Sequence, residues 1–155
     1  MSEIKYYKTF FNYDEIDHYK IEIDDADDLY FDQNISSIDQ LKYKVIYQNT
    51  PENIDDLDFL NFLNEIGYLK QKINSTDFNN IDNIFIEKPE EEMMTAGCIA
   101  IFRDILVFKK NNEVTGVAKI CFSCHKYQIV GTETNTDNFG SNNDYSQLAD
   151  ILYNT

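Results

Sequence analysis

Between Cys98 and Gly131 the chain reads CIAIFRDILVFKKNNEVTGVAKICFSCHKYQIVG, and this stretch constrains the fold more than any other. Two apolar runs, Ile99 to Phe102 and Ile105 to Phe108, have the length and composition of strands buried on both faces. Lys109 to Glu113 is polar and predicts a turn at Asn111-Asn112. From Val114 to Phe122 the period is two. Val114, Gly116, Ala118, Ile120 and Phe122 fall on one face, and Thr115, Val117, Lys119 and Cys121 on the other. Lys126 to Val130 predicts a third strand. Connections this short permit only antiparallel pairing, so the expectation is a meander built on a central hairpin. Arg103-Asp104 interrupts the apolar runs, which predicts a bulge or kink with the guanidinium on backbone carbonyls; a binding role for Arg103 is the alternative.

The same stretch holds all three cysteines. Cys121-Phe-Ser-Cys124-His125 matches the C-x-x-C-H of haem attachment as text, but that chemistry needs export, and Met1 to Phe11 has neither an apolar core nor a small-residue cleavage site. A zinc site would recruit Cys98, Cys121, Cys124 and His125. On an extended segment Cys124 points away from Cys121 and His125, and no Gly or Pro is present to turn the chain between them. A redox pair would want a helix N-terminus, where a strand is expected instead. Free cysteine behaves as a small hydrophobe, so buried structural thiols are expected, with no metal and no cofactor. An odd number of cysteines without an export signal suits a reducing cytoplasm.

The combination of Cys98, Phe102-Arg103-Asp104 and Ile120-Cys121-Phe122-Ser123-Cys124 resembles a group of small bacterial cytosolic proteins, immunity-protein-like, that share an aromatic-Arg-Asp followed by Ile-Cys-Phe-x-Cys. The group has no established activity, so the resemblance carries no function over.

In 155 residues one domain is expected, and no apolar run approaches a membrane span. His18 to Ile23 alternates as a strand. Ser36 and Ser37 can cap a helix through Ile38, Leu41, Val45 and Ile46. Ile54, Leu57, Leu60, Leu63 and Ile66 predict a second helix, ended by Gly67. Ser75 or Thr76 would cap a third through Phe78, Ile81, Ile84 and Phe85. After a loop at 132–143, Tyr145 to Tyr153 suits a closing helix. The fold class expected is α+β, an antiparallel sheet with a central hairpin and helices packed mainly on one face.

Charge decides the functional reading. The net charge is −15, and residues 1–97 carry 22 acidic against 8 basic residues while 98–155 carry 6 against 5. From Ile21 to Leu41 there are seven acids and no base, yet the aspartates miss the Gly and terminal Glu of a calcium loop. Val45 to Leu69 also lacks a base. Such a field repels nucleic acid and anionic lipid and attracts basic proteins. No nucleophile signature or phosphate-cradling glycine loop is present, so an enzyme is not expected. The function expected is a cytoplasmic immunity protein that binds and neutralises a basic toxin domain, with no direct nucleic-acid or membrane contact. Contact is expected through Asp24, Asp25, Asp27, Asp28, Tyr30 and Asp32, with Asp55, Asp56 and Asp58 as a second patch. The alternatives are an acidic regulatory or DNA-mimic protein and a zinc or thiol protein using the Cys121 to His125 segment.

Overall fold

A computed structural model describes residues 8–23, 36–90 and 97–153. Five strands, β1 (Glu15–Lys20), β2 (Leu69–Lys72), β3 (Asp104–Lys110), β4 (Glu113–Cys121) and β5 (Lys126–Val130), form one antiparallel sheet in the order β2-β1-β3-β4-β5. The helices are α1 (Ser37–Tyr47), α2 (Leu63–Ile66), α3 (Phe78–Ile84) and α4 (Asp144–Tyr153). The class is α+β. The expected hairpin is present as β3 and β4, with Leu106 opposite Ala118. Its turn places Asn111 at φ 51° and Asn112 at φ 67°, the left-handed pair that matches strand twist and that asparagine tolerates.

Alternation along β3 determines how the helices are distributed. Leu106 and Phe108 join Ile16, Ala118 and Ile120 beneath α3 and α4, where Ile81, Ile84, Leu148 and Leu152 close one core. Ile105 and Val107 join Val117 on the opposite face, beneath Val45 and Ile46 of α1 and Leu63 and Ile66 of α2. The helices therefore cover both faces, rather than mainly one as expected. A strand apolar on both sides must be covered on both sides, because each face left to water forfeits its burial. The hairpin also contains a register shift between Phe108 and Lys109. Gly116 lies opposite Phe108 and Val114 opposite Lys109, so Val114 moves to the face of Val117, against the simple alternation.

Several local expectations are corrected. Residues 99–102 are not a strand; Ile99 is 76% exposed, and Phe102 N–H donates to the Ile46 carbonyl at 2.8 Å while Arg103 N–H folds back on Ile101. Arg103 Nε donates to the Ile23 carbonyl at 2.8 Å, as the backbone-carbonyl reading expects. The second helix opens only at a 3₁₀ turn, Asp58–Phe62, and α2 ends at Gly67 with φ 123°. Ser36 Oγ does cap α1, accepting from Asp39 N–H at 3.3 Å, but the third helix is entered through Asn74, which caps a 3₁₀ turn ahead of α3. β2 was not anticipated, because all four residues are exposed and carry no apolar alternation.

The chain turns sharply between β4 and β5, with His125 taking φ 50° where no glycine stands. This turn brings Cys124 to Cys98, and the two form a disulfide across a separation of 26 residues. Cys121 remains a buried free thiol. The expectation of three unpaired thiols thus holds for Cys121 alone, and Cys98 and Cys124 are paired instead. No helix among the described residues is long and apolar enough to cross a membrane.

Candidate functional site

A groove of ≈720 Å³ lies between α1 and the chain from Thr50 to Phe62. Its apolar lining is Leu41 and Tyr47 from α1 with Phe59 and Phe62, and Phe62 is 39% exposed. Glu52, Asp56 and Asp58 line it as exposed carboxylates against one ammonium, Lys44. Local hydrogen bonding shapes the acidic side: Asp55 N–H donates to Asn53 Oδ1 at 2.8 Å, and Glu52 N–H donates to Asp56 Oδ2 at 3.2 Å. Three carboxylates over an aromatic floor make a negative field above a surface able to bury apolar area.

The end wall of the groove is the segment Gln48 to Pro51, which contains the cis Thr50-Pro51 bond. Four consecutive carbonyls of this wall are held from beneath by two neighbouring strand residues, Lys119 of β4 and Gln128 of β5, which lie opposite each other. Lys119 Nζ donates to Gln48 O and Thr50 O, each at 2.8 Å, and Gln128 Nε2 donates to Asn49 O at 3.1 Å and Pro51 O at 2.6 Å. Lys119 is fully buried, 4.6 Å from the Phe102 ring centroid, and burial pushes its ammonium down to about 7. A segment without regular structure is thereby fixed in one geometry. Sequence reasoning placed Lys119 on the correct face and overlooked its meaning: a lysine between Ala118 and Ile120, within an otherwise buried strand, signals a cation with carbonyls to hold.

A second polar cluster lies on the other face. His18 Nε2 meets Asp104 Oδ1 at 2.7 Å, Gln71 Nε2 meets His18 Nδ1 at 3.0 Å, and the Tyr153 hydroxyl donates to the same Asp104 oxygen. Both imidazole nitrogens are engaged and His18 is fully buried, so the ring has no free position from which to serve as a base. The cluster ties β2, β1, β3 and the end of α4 together. Beside it, Asp17 is buried and pairs with Lys109 at 2.7 Å, and that partner raises the Lys109 ammonium above its ordinary range.

Of the residues expected to contact a partner, Asp56 and Asp58 line the groove and Asp55 stands exposed in the same loop. Asp24, Asp25, Asp27, Asp28, Tyr30 and Asp32 lie outside the described residues. The groove adds Lys44, Tyr47, Glu52 and Phe62, which no linear motif marks. Of the thiols a zinc site would recruit, Cys98 and Cys124 are bonded to each other. No family model, curated protein or solved structure matches this chain.

Proposed function

We propose that this chain is a binding protein, an immunity protein that neutralises a basic toxin domain by accepting a cationic segment in the groove between α1 and Phe62. The observation carrying this reading is the groove's composition: Glu52, Asp56 and Asp58 around Tyr47, Phe59 and Phe62, on a wall held rigid from beneath. Acidic rim charges accelerate encounter with a cationic surface, and a half-exposed aromatic supplies contact area that is lost on dissociation. In sequence, the stretch from Asp24 to Asp32 carries the same sign of charge. His18, buried with both nitrogens engaged, fits a binding role better than a catalytic one.

Co-expression with a toxin domain encoded beside this gene tests the proposal. Wild-type protein should rescue growth, and a variant with Asp56 and Asp58 changed to Lys should bind with a slower association rate and weaker salt dependence. Phe62→Ala should mainly accelerate dissociation, and Asp24, Asp25, Asp27 and Asp28 changed together to Lys should weaken rescue further. Unchanged rates in the groove variants would remove the groove from the contact.

A further inference from the structure

On the sheet face opposite the groove, Tyr13, Phe78, Phe10 and Phe11 line a separate dish of ≈510 Å³ that also contains Asp82. Tyr13 and Phe78 meet edge to face at 73° with centroids 5.0 Å apart, two aromatic walls of a corner. The Tyr13 hydroxyl donates to Asp82 Oδ1 at 2.6 Å, which draws the carboxylate against the rings and enriches the phenol's π face. Among the described residues no ammonium or guanidinium pairs with Asp82. The dish is preformed. Phe10 N–H donates to the Phe85 carbonyl at 2.8 Å, Thr115 Oγ1 donates to the Asn12 carbonyl at 2.9 Å, and Phe11 stacks on Phe108 at 4.3 Å over Gly116.

Aromatic faces attract cations through their quadrupole, and a ring corner with an adjacent carboxylate is most selective for a cation whose charge is spread over methyl groups, since such an ion loses little hydration on entry. We propose that the corner formed by Tyr13, Phe78 and Asp82 is a binding site for an alkylated ammonium group. The site does not depend on the groove, so each proposal can fail alone.

The test is titration of the full chain with choline, and separately with a peptide carrying trimethyllysine, followed by amide chemical shifts. Shifts should centre on Asn12, Tyr13, Phe78 and Asp82, and the tighter of the two probes identifies whether the source is a free molecule or a protein side chain. Phe78→Leu keeps apolar volume and removes the ring face, so choline affinity should fall about fivefold or more. Asp82→Asn should lower it similarly, and this isosteric substitution serves if Phe78→Leu does not fold. The uncharged isostere 3,3-dimethyl-1-butanol should bind far more weakly. Equal binding of that alcohol, wild-type affinity in both variants, or no binding of either cation would overturn the assignment.

Discussion

Lys119→Met is predicted to abolish a pH dependence of stability that the wild-type protein should show. The ammonium is fully buried, bonded only to neutral carbonyls, and no carboxylate among the described residues forms an ion pair with it. Burial lowers its folded value from 10.5 to about 7. Below that value both folded and unfolded chains hold the proton and the full cost of burying charge is felt. Between the two values the unfolded chain binds the extra proton, so stability rises with pH, by up to about 1.4 kcal/mol per unit. From pH 7 to 9.5 the gain is about 3 kcal/mol. Above pH 10 the sign reverses, because Tyr13, Tyr68, Tyr145 and Tyr153 are held above their ordinary range by burial and ionise first in the unfolded chain. Methionine preserves the stem and removes the titrating group. Urea unfolding from pH 6 to 9.5, with a slope of about 2 kcal/mol/M, should move the wild-type midpoint upward by about 1.5 M relative to the variant. Every other titrating group cancels in that difference. Parallel pH profiles for the two proteins would refute the argument.

Gly116→Ala should destabilise by about 1–3 kcal/mol, because a methyl there meets Phe11 Cε1 at 2.1 Å and the ring cannot yield without losing its stack on Phe108; Gly97→Ala, with nothing within 4 Å, should be near neutral in the same thermal melts. Thiol titration in denaturant should find one reactive cysteine before reduction and three after it. Cys98→Ser should lower stability by about 3 kcal/mol under oxidising conditions, since the bond closes a 26-residue loop, and should change nothing in reductant. Tyr153→Phe removes the hydroxyl donated to Asp104 and should cost about 1 kcal/mol in urea unfolding, with greater amide exchange in the last turn of α4.

Where backbone conformation follows from a residue and its near neighbours, the sequence was sufficient. Asn111-Asn112 between two apolar runs specifies a left-handed turn, Ser36 caps α1, and Gly67 stops α2. Ile54, Leu57, Leu60, Leu63 and Ile66 recur every three residues, a spacing that belongs to a 3₁₀ turn as much as to an α-helix, and the structure has a 3₁₀ turn over Asp58–Phe62. The run Ile105 to Phe108 contained the two-sided cover in principle, since apolar residues on both faces require two layers. By sequence alone, then, the chain determines an antiparallel hairpin, its turn and the acidic character of its first two thirds. Tertiary structure alone decided the rest. The disulfide, the wall of the groove and the aromatic corner each join residues whose separation is tens of positions: Cys98 with Cys124, Lys119 with Gln48 and Thr50, Tyr13 with Asp82. Such pairs have no local signature, because their energies depend on distance in space and on exclusion from water, and those are set only when the sheet register brings the partners together.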